Sequence, residues 1–121
     1  MPQARERLDL QVKRVYDPAA REDGLRVLVD RLWPRGLEKE QAAVDRWMRD
    51  LAPSTELRRW FGHDPGRWNA FRERYARELQ TQKALLDDLR SLARQGRVTL
   101  LFGAHDEAHN NAVALREILL G

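Results

Sequence analysis

The apolar and polar positions along the chain alternate between two periods, and the change of period marks the elements. Leu10, Val12 and Val15, interleaved with Lys13 and Arg14, read as a first strand over 10–15, partly exposed and suited to a sheet edge. It ends at the polar corner Tyr16-Asp17-Pro18, and the turn-like Glu22-Asp23-Gly24 follows. Leu25, Val27, Leu28 and Val29 are apolar on consecutive positions and rich in β-branched residues, which predicts an inner strand over 25–30. Val98, Thr99, Leu100, Leu101 and Phe102 predict a third strand, apolar enough to be central.

Between these strands the period is helical. Val44, Trp47, Met48 and Leu51 fall at i, i+3, i+4 and i+7, which predicts a helix running from Glu38 and stopping before Pro53. Ser54 is placed to N-cap a short helix carrying Leu57, Trp60 and Phe61 and ended by Gly62. Asp64-Pro65 is a second start signal, and Trp68, Phe71, Tyr75 and Leu79 then line one face. A further helix over about 82–94 buries Leu85, Leu86, Leu89 and Leu92, with Gly96 just past its end. After the last strand a terminal helix opens at Asp106, with Ala108, Ala112, Leu115 and Leu119 as its buried stripe. The pattern predicts an α/β fold: a single small domain over 10–121, with a three-stranded, mainly parallel sheet packed against four to five helices. Residues 1–9 show no period and are expected to form a flexible amino terminus.

Composition narrows the class. At 121 residues there is room for one core, and the absence of cysteine excludes disulfides, thiolate catalysis and cysteine metal sites. No apolar run approaches the roughly 20 residues needed to span a bilayer, and the first residues lack the apolar segment of a signal peptide, so a soluble cytoplasmic protein without a membrane partner is expected. The 22 basic residues against 19 acidic give a net charge of +3, and 19 of the 22 are arginine, the side chain suited to bidentate grips on phosphate or carboxylate.

The chemistry concentrates at the ends of the two apolar strands. If these are parallel neighbours joined by the long helical crossover, Asp30, Arg31 and Arg35 after one strand meet His105 and Asp106 after the other. Helix N–H groups would point into the same crevice and favour an anion. Each residue also has a structural reading. Asp30 and Arg31 can form a buried ion pair, Trp33-Pro34 can plug the sheet rim, and His63 can meet the dipole of the helix ending at Gly62. His109 in the first turn of the last helix suits a neutral imidazole, while the amides of Asn110 and Asn111 are as well explained by structure as by a site. Arg58 and Arg59 read as a solvated helix face.

The candidates for catalysis are therefore Asp30, His105, Asp106 and His109, and those for ligand binding are Tyr16, Asp17, Arg31, Trp33, Arg35, His63 and Asn110. No Walker loop, Gly-x-Gly-x-x-Gly, Gly-x-Ser-x-Gly or His-Glu-x-x-His motif is present. His105 and His109 are spaced to share a metal only if both are helical, and His105 reads as preceding the helix, so neither a metal nor a cofactor is expected.

Four runs carry a family resemblance: Lys13-Arg14-Val15-Tyr16-Asp17-Pro18, Val27 to Gly36, Ala52 to Arg58 with Trp60-Phe61-Gly62-His63, and His109-Asn110-Asn111-Ala112. Together they resemble the signature of the YeaO-like proteins, small bacterial proteins grouped as domain of unknown function 488, over nearly the whole stretch from Val12 to Leu119. The resemblance implies an α/β fold and cytoplasmic residence and brings no substrate or activity. This chain departs from the expected pattern at Phe102, where the family has tyrosine, and at His105, where it has lysine or arginine.

Three functional readings follow, and whether the protein is an enzyme stays open. The first is a crevice for a small anion such as a phosphorylated metabolite or nucleotide, for binding or for hydrolase- or transferase-type chemistry. The second is a protein-interaction adaptor in which Trp33, Trp60 and Trp68 form a partner patch. The third is weak nucleic-acid contact through the arginines, with strong binding not expected because acids interleave them on nearly every helix. The partners to test are a small anionic ligand and a second copy of the chain in a homodimer.

Overall fold

A computed structural model describes residues 7–121. Its centre is a parallel sheet of β1 (Leu10–Arg14), β2 (Leu25–Leu28), β3 (Arg46–Trp47) and β4 (Val98–Phe102), in the order β1-β4-β2-β3. The two most apolar strands are parallel neighbours, with Leu25 opposite Val98 and Leu28 opposite Leu101. Around it stand five α-helices, α1 (Lys39–Ala42), α2 (Thr55–Phe61), α3 (Trp68–Leu79), α4 (Lys83–Gln95) and α5 (Asn111–Leu120), with four short 3-10 turns among the described residues. No helix among the described residues is long and apolar enough to cross a membrane.

The strand alternation sorts side chains onto two unequal faces. Val27, Val29, Val98, Leu100 and Phe102 enter the larger core, which α2 to α5 fill with Leu57, Phe61, Phe71, Tyr75, Leu89 and Leu115. Each such side chain contributes about 1.5–3 kcal/mol when fully buried, so this face carries most of the stability. Tyr75 is fully buried and its hydroxyl donates to the Leu51 carbonyl, which satisfies the one polar atom it brings inside. The smaller face is apolar at one end, where Leu28 and Leu101 pack with Val15, Trp33 and Trp47. At its other end it is charged. Buried Arg26 pairs with Asp23 and donates to the Ala42 and Ala43 carbonyls, Lys13 reaches the same carboxylate, and the Thr99 hydroxyl donates to the Asp23 carbonyl.

Two predicted elements are corrected. The helix expected from Glu38 to Leu51 ends at Ala42, where Ala43 takes a left-handed conformation (φ 48°), and the chain then enters β3. The stripe misled because its members face opposite sides of the sheet: Val44 and Trp47 pack in the smaller cluster, Met48 and Leu51 in the larger. A fourth strand therefore stands where a helical period was read. The terminal helix starts at Asn111, not Asp106. Asp106 folds the preceding turn onto itself by accepting the Ala108 and His109 N–H groups, and the Asn110 side chain caps α5 by accepting the Val113 N–H at 3.0 Å.

Of the stretch read as a flexible terminus, residues 1–6 lie outside the described residues. Leu8 packs against the larger core, and Asp9 bonds through its backbone to Ala93 and Val98.

Candidate functional site

Beyond their carboxyl ends β2 and β4 part company. The chain after β2 runs toward β3, whereas the chain after β4 turns into α5, which packs over β1 and β4. Such a divergence opens a crevice at the sheet rim. Here it is a cavity of about 630 Å³, bounded by the loops after β2 and β4, the segment before α2, and α2 itself. Its size lies within the range of small-molecule sites.

Asp30 sets the geometry of the rim. Its carboxylate accepts the Gly103 N–H at 2.8 Å and the Asn111 side-chain amide at 3.1 Å, and that same amide donates to the Val29 carbonyl at 2.9 Å. The Trp47 indole N–H donates to the Asp30 carbonyl at 2.7 Å. One residue thus joins β2, β3, β4 and the start of α5. Burial pushes the Asp30 carboxyl above the ordinary carboxylate range, against the opposing effects of the Asn111 and Gly103 hydrogen bonds and the Arg58 charge.

Asp30 and Arg31, which could have formed a buried ion pair, do not pair. The Arg31 guanidinium instead donates to the Pro53 and Ala52 carbonyls at 3.2 and 3.3 Å, holding the segment before α2 against the end of β2. Arg35 and Arg58 also line the cavity, and among the described residues neither guanidinium has an ion-pair partner or a side-chain hydrogen bond. Arg58 lies on the exposed side of α2 one turn before Phe61, which reaches the cavity floor.

On the opposite wall Asp106 and His109 form a pair, with Nδ1 3.0 Å from the carboxylate, and the His109 ring meets Trp68 edge to face at 5.3 Å. The Ala108 N–H, the His109 side chain and the His109 N–H hold the Asp106 carboxyl below the usual carboxylate range. With Nδ1 facing Asp106, Nε2 has no hydrogen-bond partner among the described residues. His63 also lines the cavity and does so from a left-handed backbone (φ 57°), directly after Gly62 in the same conformation.

Asp30, Arg31, Arg35, His63, His105, Asp106, His109 and Asn110 all line this one cavity. Asn110 is there as a cap, its amide donating to the Asp106 carbonyl and its oxygen occupied by α5. Three other candidates fall elsewhere. Trp33 turns to the smaller face, where its indole donates to the Leu37 carbonyl and packs edge to face on Trp47 at 5.5 Å. Asp17 is exposed at the corner after β1. Tyr16 supports the rim from behind, its hydroxyl donating to the Arg35 carbonyl at 2.8 Å. Nor do Trp33, Trp60 and Trp68 make one patch, since Trp33 packs in the smaller cluster and the other two against the larger.

Asn111, which the sequence leaves open between site and structure, and Arg58, which reads as a solvated helix face, also line the cavity. An N-cap assignment for Asn110 would have placed Asn111 in the first turn beside the strand end, and the i, i+3 relation of Arg58 to Phe61 would have set that arginine next to the floor. The lining contains no serine, threonine, tyrosine, cysteine or lysine. The described residues hold no cluster of three or more metal-ligating side chains.

Comparison with known proteins gives a consistent picture. A family model described as the inactive DUF488-N3 subclade matches residues 9–121. The chain is 42% identical to the protein described as uncharacterized protein YeaO of Escherichia coli (strain K12), over 93% of this chain and 97% of that one. It is 41% identical to uncharacterized protein Rv3073c of Mycobacterium tuberculosis and to Mb3100c of Mycobacterium bovis, over 93% of this chain and 94% of each. No solved structure matches.

Proposed function

The chain belongs to the inactive DUF488-N3 subclade, and we propose that its rim cavity binds a small phosphorylated anion in the cytoplasm without transforming it. The carrying observation is that Arg35 and Arg58, two guanidiniums with no hydrogen-bond or ion-pair partner among the described residues, stand at one cavity beside His63, His105 and His109. Its two carboxylates are already engaged: Asp30 with Gly103 and Asn111, Asp106 with His109 and two backbone N–H groups. Unpaired guanidiniums with this neighbourhood favour an anion, and bidentate Arg contacts suit phosphate.

Binding without turnover is supported by the absence of a hydroxyl, thiol or amine nucleophile from the lining. The family's description as inactive points the same way. The rival reading is hydrolytic, with His109 oriented by Asp106 as a general base toward water. A thermal-shift screen of phosphorylated metabolites separates the outcomes, since a ligand at 100 times its Kd should stabilise the fold by about 2.7 kcal/mol. Stabilisation without product formation supports binding. Product formation that is lost in His109→Gln establishes the hydrolytic reading, and no stabilisation by any phosphate ester overturns both.

A further inference from the structure

The cavity is too large and too apolar to be a phosphate site alone, and its walls define the rest of the ligand. We infer that it takes an anion carrying a flat apolar body, an aryl phosphate or aryl carboxylate in chemical class, with Leu32 as the residue that selects for the aryl group. This rests on the anion-binding reading above and adds to it what the anion is attached to.

At about 630 Å³ the space holds a drug-sized molecule, and a bare tetrahedral anion would leave most of it to water. The floor is made by Phe61 and Phe71, whose rings stack at 4.4 Å and 26°, and Trp68 continues the stack on Phe71 at 5.7 Å and 19°. Phe61 and Phe71 are 5% and 2% exposed, so what they offer the cavity is a small aromatic surface already packed from behind, against which a flat aromatic group fits. Pro53 and Ala104 extend this surface without adding a side-chain polar atom.

Leu32 is the second observation. It is 60% exposed, the most exposed of the large apolar side chains among the described residues, and it lines the cavity from the loop between Arg31 and Arg35. A single exposed leucine is ordinary. This one sits at a cavity mouth between two arginines, where covering its surface and the floor with one flat group removes apolar area from water while an attached anion reaches Arg35 and Arg58. A polyol phosphate would satisfy the guanidiniums but leave the Phe61, Phe71 and Leu32 surface facing water or hydroxyls, without the gain of covering it.

Titration calorimetry of the wild type and Leu32→Ser against inorganic phosphate, glycerol phosphate, phenyl phosphate and benzoate tests this. Leu32 is exposed, so Leu32→Ser should keep the wild-type unfolding midpoint. Wild type should bind phenyl phosphate about tenfold more tightly than glycerol phosphate, and Leu32→Ser should erase most of that difference while leaving the affinities for glycerol phosphate and inorganic phosphate unchanged. Benzoate bound as tightly as phenyl phosphate makes the head group any anion, and benzoate bound more weakly makes it phosphate; the aryl selection stands in either case. Equal binding of phenyl and glycerol phosphates, or an equal loss for all ligands in Leu32→Ser, overturns the selection for an aryl body and leaves the anion site standing. Binding of none of the four removes the anion site as well.

Discussion

The Asp30 carboxylate accepts the Gly103 backbone N–H at 2.8 Å, and this bond sews the carboxyl ends of β2 and β4 together at the mouth of the cavity. The approach depends on a missing atom. A Cβ at Gly103 would lie 3.1 Å from Asp30 Oδ2, and the Gly103 backbone does not itself require glycine. Gly103→Ala should therefore act through crowding, costing about 1–3 kcal/mol in chemical denaturation and displacing Asp30 from Asn111. An unchanged stability would mean that the rim yields freely and that Asp30 does not set its geometry.

Two carboxylates give opposite pH signatures. Burial raises the Asp30 carboxyl above its ordinary value of 3.8, so the folded state keeps a proton that the unfolded chain has lost. Stability from this group falls as pH rises through the interval above 3.8. Burial raises Asp23 too, but the Ala20 N–H, Lys13 and Arg26 outweigh it, and the net shift is downward. Its contribution is complete above 3.8 and is lost as pH falls through its folded value. Stability measured from pH 3 to 7 should flatten on the neutral side in Asp30→Asn and on the acid side in Asp23→Asn. The level in Asp30→Asn should also drop, because its NH2 group would face a donor in either orientation, the Gly103 N–H or the Asn111 amide.

The two arginines of β2 and its end should respond very differently to removal. Arg26 is 4% exposed and holds Asp23 and two carbonyls, so Arg26→Ala leaves the Ala42 and Ala43 carbonyls without this donor and Asp23 with Lys13 alone as its cation, and should cost about 2–4 kcal/mol. Arg31 has no carboxylate partner, only two long bonds to carbonyls that water can replace, and Arg31→Ala should cost about 1 kcal/mol. Urea titrations of both variants read this difference, and equal costs would contradict the assignment.

Why this contrast escaped the sequence is instructive. The acid and arginines after Val29 stood out because charge follows an apolar strand abruptly, and eight of the eleven candidate residues do line one cavity. The adjacency and direction of the two apolar strands were legible from the same runs. Arg26 was hidden inside such a run, since alternation across a strand puts it on a face that only tertiary structure shows to be covered by α1 and Asp23. β3 escaped for a related reason: two residues of strand carry no period of their own, and side chains on opposite faces mimicked a helical stripe. The pairing of Asp30 with an amide and not with its neighbour Arg31 depends on where α5 begins, which a sequence with two adjacent asparagines leaves undecided.

Ala43 offers a test of the corrected helix end. It closes α1 in a left-handed conformation that favours glycine, and its contact with Arg26 is made by its carbonyl, not its side chain. Ala43→Gly should stabilise the protein by about 0.5–1 kcal/mol. A loss of stability would show that α1 continues through this position, as the apolar stripe suggests.

On the proposed function, Arg35 and Arg58 together hold the anion. Titration calorimetry of phenyl phosphate into the wild type and into the double variant Arg35→Ala/Arg58→Ala tests this, since both side chains are exposed and neither makes a hydrogen bond or ion pair among the described residues. The account predicts saturable binding to the wild type, weakened at least tenfold in the double variant with an unchanged unfolding midpoint; binding of equal strength to both proteins, or to neither, would contradict it.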